Sequence, residues 1–123
     1  MPEDHEVESF IRSTFRSVWA LELLILLKAN RERTLSHEEM VERLRGSDLV
    51  VEQSVDSLAA AGLVLPEADS AARYSPASAE LDTLMEVTEQ FYSRSPDAVR
   101  RLIIAAATPG LAAFADAFRL RKD

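Results

Sequence analysis

The chain has 123 residues, of which 47% are hydrophobic and 28% are charged, and its formal net charge is −7. This length allows a single domain with its own core, and the acidic balance argues against loose, charge-driven binding to nucleic acid or to an anionic membrane. Because the chain contains no cysteine, disulfides and thiol chemistry are excluded.

Residues 1–6 are predominantly acidic and are predicted to form a flexible tail. An acidic start resembles neither a secretory signal nor a transit peptide. The most apolar run, from Leu23 to Leu27, is far shorter than the roughly 20 residues that a membrane-spanning helix needs. We therefore expect a cytoplasmic protein that does not associate with a membrane.

The segment from Val7 to Ala29 carries a broad apolar stripe with a nearly helical period, which predicts one long central helix. A polar loop follows. Ser36 and Glu39 then stand three positions apart and predict a capping box, in which each side chain bonds to the backbone of the other residue. A second, short helix should begin there and end at Gly46.

Asp48 is a suitable N-cap for a third helix that starts at Leu49. Val51, Val55 and Leu58 form its predicted core face, and Gly62 its terminator. Two short extended pieces around a polar turn, within residues 63–74, then predict a small β-hairpin.

Residues 77–123 are predicted to form further helices. Leu81 to Tyr92 give a regular apolar stripe, Val99 to Ala106 give a shorter one, and Thr108-Pro109 opens a last helix. The expected fold class is therefore mainly α with a small β-hairpin (α+β).

Residues 54–64, with Leu58 followed by Ala59-Ala60-Ala61-Gly62-Leu63-Val64, carry a resemblance to a known family. Together with the upstream capping box, the tight turn and the downstream hairpin, they resemble the winged helix-turn-helix domains of bacterial transcription regulators such as the MarR-like group. The resemblance implies a winged-helix core over residues 7–76, followed by C-terminal helices over 77–123 that pack on it or form a dimer.

In that family the third helix enters the DNA major groove, so the resemblance implies a DNA-binding site on this helix and around it. Gln53 is the residue of the helix best suited to read a base. Arg43 and Arg45 before it, and Arg73 on the wing, are the nearest candidates for contacts to DNA. Arg31 and Arg33 precede the second helix and could extend this set into a rim that contacts the DNA backbone. The alternative for all five arginines is that they are solvated charges that balance Glu38, Glu39 and Glu42.

The third helix departs from the family pattern, because between Ser47 and Gly62 it has three acidic residues and no lysine or arginine. Carboxylates facing DNA phosphates would be repelled. The alternative is a winged-helix interaction module that no longer reads DNA and binds another protein, such as a second regulator. Its candidate contacts are Leu49, Val50, Glu52 and Asp56, since exposed aliphatic side chains at a helix start often mark a contact site.

The final helix offers Leu111, Phe114 and Phe118 as candidate residues of a homodimer interface. The sequence contains no glycine-rich phosphate loop, no nucleophile beside a base and no histidine pair at metal-ligand spacing. We therefore expect no enzymatic activity and no cofactor. A weaker alternative is a ligand-sensing regulator with a pocket near Trp19 and Tyr92.

Overall fold

A computed structural model describes residues 2–107, and these form six α-helices and one antiparallel β-hairpin. The prediction of a mainly helical fold with a small hairpin is confirmed. The elements are α1 (Asp4–Thr14), α2 (Val18–Ala29), α3 (His37–Leu44), α4 (Asp48–Ala60), β1 (Val64–Glu67), β2 (Ala71–Tyr74), α5 (Ala79–Arg94) and α6 (Pro96–Ala107).

The predicted single helix from Val7 to Ala29 is wrong, because the chain breaks between α1 and α2. Phe15 leaves the helical conformation (φ −98°, ψ 115°), and its side chain is only 1% exposed. Its ring meets that of Phe10 edge to face at 5.9 Å between centroids. Ser17 then caps α2 by accepting a hydrogen bond from the Ala20 amide at 3.1 Å. Burial of Phe15 and the Ser17 cap together stabilise a corner that contains neither glycine nor proline.

The helix α1 begins at Asp4, so residues 4–6, which the sequence analysis assigned to a tail, form its first turn. This helix packs against α5 and α6. One core cluster extends from Val7 at the start of α1 to Ile103 in α6. The helices that follow residue 76 therefore share a core with the elements before it.

The predicted capping box at the start of α3 is confirmed. The Glu39 amide donates to Ser36 Oγ at 3.1 Å, and the Ser36 amide donates to Glu39 Oε1 at 3.2 Å. Arg33 donates to both carboxylate oxygens of Glu39, at 2.8 and 3.3 Å. These bonds from Arg33 and from the Ser36 backbone lower the pKa of Glu39 to about 2.

The turn between α3 and α4 differs in detail from the prediction. Arg45, not Gly46, takes the left-handed conformation (φ 58°) that ends α3. Ser47, not Asp48, caps α4, and its Oγ accepts from the Val50 amide at 3.1 Å. Serine and aspartate are both favourable N-caps, so two adjacent candidates left the start of the helix uncertain by one residue.

The junction between α4 and the hairpin follows the prediction at Gly62, which has a φ of 79°. The Leu63 amide donates to the Leu58 carbonyl at 3.0 Å, a bond typical of a helix that ends in a left-handed residue. The strands then pair with Val64 opposite Tyr74, and Ala72 also exchanges two backbone bonds with Leu35. The hairpin is thereby held to the segment between α2 and α3.

We expect Gly62→Ala to lower the free energy of unfolding by about 1–2 kcal/mol, because a side chain is strained at this φ. The new Cβ would also lie 3.3 Å from the Ala77 Cβ. Gly46→Ala is the matched control, since a Cβ there meets only ordinary contacts at 3.6–3.8 Å. Urea unfolding of the two variants measures the difference, and equal stability would contradict this account of the turn.

Candidate functional site

The helix α4 corresponds to the third helix of the sequence analysis, and it packs on α2, α3 and β1. Its buried face consists of Val51, Ser54, Val55 and Leu58. The face turned to solvent carries three carboxylates, one amide and one large aliphatic side chain: Asp48, Leu49, Glu52, Gln53 and Asp56. The outer surface of α4 is therefore acidic, as the sequence indicated.

The two aliphatic residues at the start of α4 lie in different environments. Leu49 is 60% exposed. Val50 is half-buried, and its Cγ1 would lie 3.6 Å from a Cβ placed on Gly46. Val50 therefore helps to cover the α3–α4 turn, whereas Leu49 is the residue of the pair that could contact a partner.

The three arginines predicted to contact DNA are all exposed: Arg43 in the last turn of α3, Arg45 at its end and Arg73 on β2. None of them makes an ion pair with another residue in the range 2–107. Their guanidinium groups are therefore not neutralised within this part of the chain.

Other cations near the hairpin are paired within the fold. Arg31 contacts Asp82 at 3.2 Å, and Lys28 contacts Glu86 at 2.6 Å and Glu89 at 3.0 Å. Burial lowers the pKa of Lys28, but its two carboxylate partners outweigh that effect and raise it. A hydrogen bond from Tyr74, followed by the one from Arg31, lowers the pKa of Asp82. Arg31 and Arg33, which could have extended a set of DNA-contacting arginines, therefore form ion pairs with Asp82 and Glu39 of this chain.

A groove of about 360 Å³ lies between α4 and the hairpin. Val51, Val55 and Pro66 contribute apolar surface to it, while Glu52, Asp56 and Glu67 contribute carboxylates. His37 also lines this groove, and its Nε2 lies 2.8 Å from Asp48 Oδ1. Its Nδ1 is buried and has no hydrogen-bond partner. The groove therefore combines an apolar surface, negative charge and one unsatisfied ring nitrogen.

Sequence reasoning missed a second basic position beside α4. Arg16 lies at the corner between α1 and α2, is exposed, and makes no ion pair with any residue that the structure describes. With Trp19 and Gln53 it lines a small pocket on the flank of α4. The sequence signal was the Ser17 cap, because a helix start there makes Arg16 a corner residue instead of one within a long helix.

Several remaining expectations concern other parts of the molecule. Tyr92 donates a 2.6 Å hydrogen bond to Glu22 and does not line the pocket beside Trp19. Leu111, Phe114 and Phe118 lie outside the described residues, so the dimer contact stays a prediction.

Within residues 2–107, Glu3, His5 and Glu6 are the only group of three acidic or histidine side chains whose ligand atoms lie within 4.8 Å of one another, and all three are exposed. No helix in this range has the length and apolar character needed to cross a membrane. Comparisons with protein-family models, with curated proteins and with solved structures find no match to this chain.

Proposed function

We propose that the chain is a winged-helix regulatory protein of the cytoplasm that binds DNA mainly through the phosphate backbone. The order of α2, α3, α4 and the hairpin supports the winged-helix interpretation, because a short helix, a tight turn, a third helix and a two-stranded wing follow one another in that family.

The observation that carries the proposal is the position of the free cations. Arg43 and Arg45 end the helix before α4, and Arg73 lies on the hairpin that follows it, so these exposed arginines flank α4 along the chain. Arginines that are not neutralised by the protein are available for phosphate oxygens. Phosphate contacts position a protein on DNA without reading its sequence. Because the carboxylates of α4 are repelled by DNA, we expect this helix to contribute little to base recognition. The sequence preference should therefore be weak.

The test compares two double variants of the full chain. We expect Arg43→Gln with Arg45→Gln to weaken binding to a labelled DNA duplex roughly tenfold at low salt, because each lost arginine removes a phosphate contact. Arg94→Gln with Arg101→Gln is the matched control, since both are exposed and have no ion pair within residues 2–107.

Fluorescence anisotropy measures both affinities. Glutamine keeps a side chain at Arg45, whose backbone is left-handed, so the local strain is unchanged. An equal loss of affinity in both double variants would indicate a diffuse charge effect and contradict the assigned surface.

The groove between α4 and the hairpin favours a second candidate function, a protein-interaction module. Its carboxylates, its apolar surface and the neighbouring exposed Leu49 suit a segment that carries both arginine and leucine side chains. A donor from such a segment could also satisfy His37 Nδ1. NMR titration with an arginine- and leucine-containing peptide tests this candidate, which requires shifts confined to α4, the hairpin and His37.

A further inference from the structure

The pocket that contains Arg16 has a composition unlike that of the α4–hairpin groove. It has a volume of about 190 Å³ and lies between the start of α2 and one flank of α4. Its lining includes one arginine, three serines and no carboxylate from the described residues. At about 30 Å³ per water molecule, this volume is equivalent to roughly six waters, enough for a small anion.

The first feature of the pocket is the N-terminus of α2, a helix of 12 residues. The Ala20 amide is occupied by Ser17 Oγ, and the Leu21 amide by the Ser17 carbonyl. The amides of Val18 and Trp19 have no partner among the described residues. There is no acidic residue in this first turn, so the positive end of the helix dipole is not compensated there.

The second feature is Ser54, which is independent of the α2 helix end. Ser54 lies on the buried face of α4, is only 4% exposed and lines the pocket. Its carbonyl accepts a bond from Ser57 Oγ, and its own hydroxyl makes no hydrogen bond with another residue of the range 2–107. Ser54 Oγ is not among the fully buried unpartnered atoms of this range, so the hydroxyl of this otherwise buried residue is open to the pocket and available to a ligand there.

The third feature is the charge and the wall of the pocket. Arg16 supplies an exposed guanidinium without an ion-pair partner in the described part of the chain. Trp19, 42% exposed, forms a wall, and its Cζ3 would lie 3.7 Å from a Cβ placed on Gly46. The Trp19 ring therefore also lies against the turn that carries Arg45.

We propose that this pocket is a subsite for a phosphate group. Arg16 would pair with the phosphate oxygens, the amides at the start of α2 would donate to them, and the Ser54 hydroxyl would complete the set of donors. If the phosphate belongs to the DNA backbone, the subsite rests on the proposed function and adds a contact beside α4. If it belongs to a free phosphorylated molecule, the subsite does not depend on the proposed DNA binding.

The first part of the test uses inorganic phosphate and the only tryptophan of the chain. Because Trp19 lines the pocket, its indole N–H gives a single NMR signal that reports on occupancy. We expect a saturable shift with phosphate, but not with chloride at equal ionic strength. Arg16→Gln and Ser54→Ala should each weaken phosphate binding about fivefold, whereas Arg94→Gln should leave it unchanged.

Ser54→Ala removes an unpartnered hydroxyl, so the variant should unfold at the same urea concentration as the parent chain, and a loss of binding would not reflect misfolding. Arg16 is exposed, and the same unfolding measurement controls for its substitution.

The second part measures the affinity of the same variants for a DNA duplex. A loss of about threefold in both Arg16→Gln and Ser54→Ala would assign the phosphate to DNA.

Phosphate binding without DNA binding would retain the subsite, assign it to a free phosphorylated ligand and overturn the proposed function. DNA binding that depends on Arg43 and Arg45 but not on Arg16 or Ser54, with no phosphate response at Trp19, would overturn the subsite and retain the function. Variants that behave like the parent chain in both parts would likewise overturn the subsite.

Discussion

Phe15→Ala should lower the free energy of unfolding by about 3–5 kcal/mol, which is the range for truncation of a buried phenylalanine. Phe15 is 1% exposed and makes its aromatic contact with Phe10, so its removal leaves a cavity at the corner between α1 and α2. A domain of this size has a total stability of about 5–15 kcal/mol. The variant should therefore lose a large share of its total stability.

Urea unfolding monitored by circular dichroism measures this effect. Phe91→Ala is the matched control, because Phe91 is only partly buried against the core. This substitution should lower the free energy of unfolding by less than Phe15→Ala does. A loss below 1 kcal/mol at Phe15 would contradict the position of this side chain in the core, and with it the corner between the two helices.

Reversing the charge of α4 with Glu52→Arg and Asp56→Arg should increase the affinity for DNA about a hundredfold at low salt. Two repulsive carboxylates would be replaced by two cations on the helix that the winged-helix interpretation directs toward DNA. Both side chains are exposed, so the fold should tolerate the change.

The matched control is Glu3→Arg with Glu6→Arg, which changes the net charge by the same amount at the start of α1. This helix packs on α5 and α6, so only the general charge effect should be seen there. An equal gain of affinity in both double variants would argue against a specific role of α4. If the α4 double variant gains affinity for DNA and no longer binds an arginine- and leucine-containing peptide, both candidate functions use the same surface.

Much of the fold could be predicted from local signals that have a single physical interpretation. The Ser36 and Glu39 pair predicted its capping box correctly, since both hydrogen bonds form within one helical turn. Gly62 predicted the end of α4, because a left-handed residue at a helix end is most often glycine. The hairpin followed from short extended pieces around a polar turn.

The errors arose where tertiary contacts decide the structure. The apolar stripe from Val7 to Ala29 runs through the corner without a glycine or proline, and the break depends on burial of Phe15 against Phe10 together with the Ser17 cap. For the same reason, Arg16 was missed as a candidate binding residue. Arg31 could not be assigned from the sequence either, because its partner Asp82 lies 51 positions away.

Salt dependence of DNA binding by the parent chain tests the central claim most directly. If three or four arginines around α4 each neutralise a phosphate, the logarithm of the binding constant should fall against the logarithm of the salt concentration with a slope of about −3 to −4. That slope should become shallower by about 2 in the Arg43→Gln, Arg45→Gln variant. Absence of binding at low salt, or a slope that the variant does not change, would contradict the account.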